Sequence, residues 1–257
     1  MPSLSWRGST GSPGGNLAGM THSSAEELRR IRRAVDELPD AWHRAGTVEP
    51  AVLDALERNG RDLKHSIETG TGRTTLLLSH LSTDHIVFAK DDTGDGDSLS
   101  AVRLSPLLKS DNVTFVVGPT QRTLLSYEFD SPLHLAFLDG PHAYPFPDLE
   151  YWAVYPHIEA GGLLVIDDIQ IPTIANMYSV LKADAMWDLV EVVHTTAFFR
   201  RTLSPAIDPY GEGWWLQGYN ARSSVRHLPW QNRPGEIAKA ALPDAAKNMF
   251  KKLRRRS

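Results

Sequence analysis

Apolar residues recur along this chain with two alternating periods. From Ser24, the stretch SSAEELRRIRRAVDEL spaces Leu28, Ile31, Val35 and Leu38 along one helix face, with Ser24 as cap and acids in the first turn. A second helix is expected at VEPAVLDALERNG, capped by Thr47 and stopped by Gly60. Short apolar runs then alternate with helical patterns. The runs are HSIE (65–68), HIVFA (85–89), VTFVV (113–117), LHLAFLD (133–139) and GLLVID (162–167). Between them, helices are expected at TTLLLSHL and near 99–108, 121–127 and 146–158. Strands apolar on both faces and separated by helices predict an α/β, doubly wound, mostly parallel sheet covered on both sides. After a helix near 174–184 the rhythm breaks: LVEVVHT and TAFFRRT follow each other directly, which predicts a terminal antiparallel strand closing the sheet.

The flanks read differently. Residues 1–23 are rich in Gly, Ser and Pro and offer too little apolar surface to offset the entropy of ordering, so they are expected to be a disordered leader. Residues 24–220 then form one domain, and 221–257 an extension ending in the basic run KKLRRRS. A length of 257 residues suits that single large domain.

Charge and composition narrow the partners. A formal net charge of -4 supplies no overall positive field for a polyanion, which disfavours nucleic acid and favours a small molecule. The absence of cysteine removes disulfides, thiolate metal sites and cysteine nucleophiles, and suits a reducing cytoplasm. No apolar run is long enough for a bilayer span, so no integral membrane contact is expected. A homo-oligomer is compatible with the sequence.

Chemistry concentrates where strands end. The loop Glu68-Thr69-Gly70-Thr71-Gly72 follows the first strand and opens a helix, where glycines permit a tight turn beside free amides. A ligand-free turn remains open as the plain reading. A phosphate loop is disfavoured, because Arg73 stands where Gly-Lys-Ser/Thr would be needed. Thr75 replaces the third glycine of the dinucleotide fingerprint, and Glu68 would repel a pyrophosphate but attract a cationic ligand. Asp91, at the end of the second strand, lies where a carboxylate binds ribose hydroxyls, although it sits in an acidic loop and a solvated role stays open. Thr120 and Gln121 after the third strand could meet an adenine edge or cap a helix. Asp139 closes the fourth strand, and Asp167 with Asp168 closes the fifth. In a parallel sheet these acids share one edge with Glu68, ready for a hard divalent cation such as Mg2+ or for loop capping.

The pieces ETGTG, FLDGPHAYPFPDLEYW and GGLLVIDD resemble class I S-adenosylmethionine-dependent methyltransferases of the Rossmann-like fold. In particular they resemble the metal-dependent sugar O-methyltransferases related to macrocin O-methyltransferase, whose broader core is that of catechol O-methyltransferase. The resemblance runs from about Ile67 to Thr202. It implies S-adenosylmethionine held by residues 68–72, Asp91, Thr120, Gln121 and Asp139, Mg2+ on Asp139, Asp167 and Asp168, and a hydroxyl of a sugar, glycoside or small natural product as acceptor.

This chain departs from that pattern at Pro141, where the family carries an acid that could take the acceptor's proton. His142 becomes the nearest candidate base, with a structural hydrogen bond as its rival role. His134 is expected to be structural. Tyr144, Trp152, Trp214 and Trp215 could form a stacking wall or simple packing. Two other functions stay in view, an NAD-dependent oxidoreductase and a catalytically silent binding module. The acid before the glycines and the antiparallel ending count against the first.

Overall fold

In the structure, a computed structural model, the described residues are 22–39, 42, 48–60, 63–91, 98–221, 229–232 and 234. Thr47, Asp92, most of the N-terminal leader and the basic C-terminal run lie outside them. The elements in chain order are α1 (His22–Asp36), α2 (Pro50–Asn59), β1 (Leu63–Thr69), α3 (Arg73–Leu81), β2 (Ser82–Ala89), α4 (Ser98–Leu104) and β3 (Val113–Val117). Then follow α5 (Thr120–Thr123), β4 (Leu133–Leu138), α6 (Phe146–Val154), β5 (Ile158–Ile166), α7 (Pro172–Lys182), β6 (Trp187–Val193) and β7 (Thr196–Arg201).

The seven strands form one sheet in the order β3-β2-β1-β4-β5-β7-β6. β1 to β5 pair in parallel, whereas β7 runs antiparallel to both β5 and β6. The sequence predicts this antiparallel ending, but β7 slots in one place from the edge and β6 becomes the rim.

Each strand residue faces the side opposite its neighbour, and that alternation splits the core in two. Leu135, Phe137, Leu163, Val165 and Phe198 pack against α1, α2 and α3 through Leu28, Leu53, Leu56 and Leu77. Ala136, Leu138, Leu164, Ile166 and Phe199 pack on the other face, with Val154 of α6 and Ile174, Met177 and Leu181 of α7. Buried Arg32 ties α1 to α2 by bonding Asp54 Oδ1 at 2.8 Å and the Pro50 carbonyl at 2.6 Å.

Several element ends differ from the pattern read in the sequence. α1 begins at His22, so Ser24 lies inside its first turn instead of capping it. α4 stops at Leu104 because Pro106 pushes the residue before it out of the helical region. α6 gives way at Val154 although Tyr155 keeps helical angles, because Pro156 has no amide to bond back to Trp152, and a single 3-10 turn follows. α5 is one turn long, its neighbourhood carrying hydroxyls that bond back to the chain: Thr123 to the Pro119 carbonyl and Ser126 to that of Arg122. β5 starts four residues earlier than its apolar run, crossing Gly161 at φ +87. Among the described residues no helix is long and apolar enough to cross a membrane.

Candidate active site

Parallel pairing sets the site. Thr69 lies beside both Phe88 and Leu138, and Leu138 beside Ile166, so the residues just past β1, β2, β4 and β5 emerge along one edge. That edge carries Gly70, Asp91, Asp139 and the pair Asp167–Asp168.

The glycine loop turns at Gly70, with φ +89 and its amide donating to the Phe88 carbonyl at 2.9 Å. A Cβ at this position would stand 2.5 Å from the Asp139 main-chain oxygen, so glycine is required. Gly72, at φ 176, is extended and makes no such demand. The Thr75 hydroxyl accepts the Gly72 amide at 3.0 Å and so closes the start of α3.

Glu68 lies under this loop, fully buried. Its Oε1 accepts the Thr74 hydroxyl and its Oε2 the Thr75 hydroxyl at 2.6 Å, while His85 Nε2 stands 3.5 Å from Oε2. The carboxylate therefore braces the strand end against α3 from below. Arg73 points away from the loop as well, its guanidinium donating to the Leu38 carbonyl at 2.5 Å. Asp91 is exposed just past β2, Thr120 is buried at the start of α5, and Gln121 is half-buried beside it.

The acids past β4 and β5 converge with a histidine. Among the described residues, Asp139, His142 and Asp168 offer ligand atoms that all lie within 4.8 Å of one another. His142 Nε2 stands 3.1 Å from Asp168 Oδ2 and 3.7 Å from Asp139 Oδ1. Asp168 has φ 58, a left-handed turn that aims its side chain back toward His142, and Gln170 donates to its Oδ1 at 2.7 Å. Asp167 is set behind this group: its Oδ1 accepts the Thr196 hydroxyl at 2.6 Å and the Thr195 hydroxyl at 3.3 Å. The structure thus joins Asp139 and Asp168 as expected, adds His142, and holds Asp167 from behind.

Proximity of like charges and enclosure perturb these groups. Asp139 shows a third of its side chain to solvent (33%), yet its carboxyl is enclosed. Burial, with Asp167, Asp168 and Glu68 adding repulsion, pushes it up to about 7 against the lowering contact from His142. The Asp139 contact in turn raises His142, with Asp168 adding to the effect and burial opposing it.

Sequence reading passed over one residue of this site. Glu150 on α6 is buried at 4% exposure, its Oε2 accepting the Thr69 hydroxyl at 2.9 Å. Burial pushes its carboxyl up to about 7. The nearby Thr120 hydroxyl favours the ionised form without closing a full hydrogen bond to Oε1. Its signal was the spacing Pro147, Glu150, Val154, which is the buried face of α6. Glu150, Asp139, His142 and Asp167 line one small cavity with Pro147, Ile174 and others.

The remaining candidates play quieter parts. His134 stands 3.4 Å from Glu159 Oε1 and accepts the His65 amide, a structural role as expected. Trp152 donates to the Pro209 carbonyl at 3.2 Å and meets Tyr210 edge-on, so it packs the segment after β7. Tyr144 is exposed two residues beyond His142, and Trp214 is exposed further along.

Comparison with known proteins shows what the chain is similar to. A family model described as a methyltransferase domain matches residues 45–169, the span holding the glycine loop, Asp139, His142 and the Asp167–Asp168 pair. Over that span the chain is similar to a methyltransferase domain. No curated protein matches the chain. Its fold is that of solved structures of low identity. One, from Klebsiella pneumoniae and assigned as an O-methyltransferase, is 14% identical and covers 72% of this chain and 92% of its own, with a TM-score of 0.50. The tomaymycin-synthesis O-methyltransferase of Streptomyces achromogenes, in complex with S-adenosylmethionine, is 16% identical, with 72% and 92% covered and a TM-score of 0.49. The TDP-rhamnose 3'-O-methyltransferase of calicheamicin biosynthesis is 17% identical, with 71% and 96% covered and a TM-score of 0.46. In this chain the Gly70 turn and the acids past β4 and β5 lie at the ends of strands of one sheet, into which β7 is inserted.

Proposed function

We propose that this chain is a methyltransferase that transfers the methyl group of S-adenosylmethionine to a hydroxyl oxygen of a sugar, glycoside or other small natural product. The observation that carries this reading is the meeting of Asp139, His142 and Asp168 beside the Gly70 turn, on the edge where a methyltransferase domain presents its donor.

The donor is assigned to the turn at Thr69, Gly70, Thr71 and Gly72, with Glu68 bracing it from below. Asp91 is assigned to the ribose hydroxyls, and Thr120 and Gln121 to the adenine side. Asp139 closes the donor pocket toward the acceptor.

The carboxylate oxygens of the acidic group suit a divalent cation, Mg2+ or a similar ion. Asp139 and Asp168 would hold it, with Asp167 as a further carboxylate set behind them. Bound there, a dication would orient the acceptor hydroxyl and favour its ionised form. His142, between the two outer carboxylates, takes the hydroxyl proton where Pro141 offers none. The rest of the catalysis is alignment of the oxygen with the donor's methyl group and exclusion of water.

Calorimetric titration with S-adenosylhomocysteine, followed by mass spectrometry of donor reactions with nucleotide sugars and glycosides, tests the proposal. Binding of S-adenosylhomocysteine and a methylated acceptor are expected. Binding of NADH in its place would overturn the donor assignment, and donor binding without any transfer would favour a silent binding module.

A further inference from the structure

Glu150 connects the two halves of this site. Its Oε2 accepts the Thr69 hydroxyl at 2.9 Å, and the oxygen of that hydroxyl accepts the Asp139 amide at 3.0 Å. A Cβ on Gly140 would stand 2.1 Å from Glu150 Oε1, so the carboxyl occupies the space that glycine leaves open. One buried side chain on α6 therefore touches the last residue of β1 and the segment after β4.

The two segments differ in how firmly they are otherwise held. Thr69 is paired with Phe88 and Leu138 within the sheet, and Gly70 is bonded to Phe88, so the donor turn is fixed without Glu150. The 139–142 segment has left the sheet. It is held at its start by the Thr69 carbonyl and hydroxyl, and at its end by Thr173, whose hydroxyl donates to the His142 carbonyl at 2.6 Å. Between those ends, Glu150 fills the gap over Gly140.

We propose that Glu150 is a positioning residue that sets the Asp139–His142 segment against the donor turn, and so aligns the acceptor with the methyl group. The inference rests on the methyl-transfer reading for its kinetic consequence but not for its structural one. It predicts that loss of the carboxyl slows transfer and spares donor binding.

The test uses Glu150→Ala, Glu150→Gln and Gly140→Ala in the full chain, read by kcat, by the Kd for S-adenosylhomocysteine and by the backbone amide resonances of Asp139, Gly140 and His142. Glu150→Ala is expected to lower kcat about 10–100-fold, the scale of a roughly 1 Å misplacement, with the Kd changed less than about threefold. Gly140→Ala, which evicts the carboxyl from its place, is expected to behave alike. Glu150→Gln, whose amide oxygen can still accept from Thr69, restores most of the rate. Glu150→Ala that leaves kcat and the 139–142 resonances unmoved overturns the proposal, as does Glu150→Gln as slow as Glu150→Ala. A wild-type chain that neither binds S-adenosylhomocysteine nor transfers methyl overturns the functional reading alone, and the amide resonances still judge the coupling.

Discussion

A Cβ on Gly70 would stand 2.5 Å from the main-chain oxygen of Asp139, so the turn after β1 and the acid after β4 leave room between them for hydrogen and nothing larger. Gly70→Ala must also adopt φ +89, a conformation that side chains disfavour. Backbone strain on the order of 1–3 kcal/mol is expected, which at roughly 2–4 °C per kcal/mol lowers Tm by several degrees. Affinity for S-adenosylhomocysteine should fall at least about tenfold, since the turn and Asp139 are forced apart. Gly72→Ala, at an extended position, serves as the comparison in thermal unfolding and should cost less. Equal Tm values for the two variants would contradict the close approach.

Asp168 allows charge to be separated from backbone. Its φ of 58 is one that asparagine also adopts readily, so Asp168→Asn keeps the turn and removes the negative charge facing His142. Affinity for Mn2+ is expected to fall about 10–100-fold with Tm nearly unchanged, read by metal titration and thermal unfolding. A chelator should abolish methyl transfer by the wild-type chain, with Mg2+ or Mn2+ restoring it. Transfer that survives chelation would remove the dication from the mechanism.

Thr196 supports the site from β7. It is fully buried and donates to Asp167 Oδ1 at 2.6 Å. Thr196→Val keeps the shape and β-strand preference but leaves a buried carboxylate short of a donor, at a cost of about 1.5–3 kcal/mol for a bond to a charged group. Tm is expected to drop roughly 3–12 °C. Thr195→Val, whose bond is 3.3 Å, should cost less in the same measurement. If both variants unfold at the wild-type temperature, Asp167 is not held by these hydroxyls.

The sheet was legible because strands covered on both faces read as unbroken apolar runs, and because the turn acids stand at their ends where nothing apolar masks them. Gly70, Asp139 and Asp168 were found that way, and parallel topology alone brought them to one edge. Glu150 was not, since an acid within PFPDLEYW reads as a solvated helix residue until the face shared with Pro147 and Val154 is known to press on Gly140. Glu68 was found but faced unexpectedly: strand alternation turns its side chain beneath α3, where Thr74 and Thr75 take both oxygens. The ends of α4 and α6 differ from the pattern where periodicity continues past Pro106 and Pro156, since proline removes a helix amide and crowds the chain before it whatever the apolar pattern says.

The raised carboxyl of Glu150 links the site to stability through pH. On α6 it is enclosed by Thr69 from β1, Thr120 from α5 and the Gly140 segment, and His142 is the charged group that bears on it. Burial holds the folded carboxyl at about 7 against an ordinary value of 4.5, so the native state keeps a proton that the unfolded chain releases between those values. The stabilisation from that proton is fully present below pH 4.5 and is lost as pH rises through 7. A gap of this size corresponds to roughly 3 kcal/mol across the window, at about 1.4 kcal/mol per pKa unit. Glu150→Gln carries no titrating group and should escape the loss. Relative to wild type, its Tm is expected to climb by several degrees between pH 5 and pH 8, with most of the change between pH 5 and 7. A difference in Tm that stays constant with pH would show that the buried carboxyl remains ionised across this range.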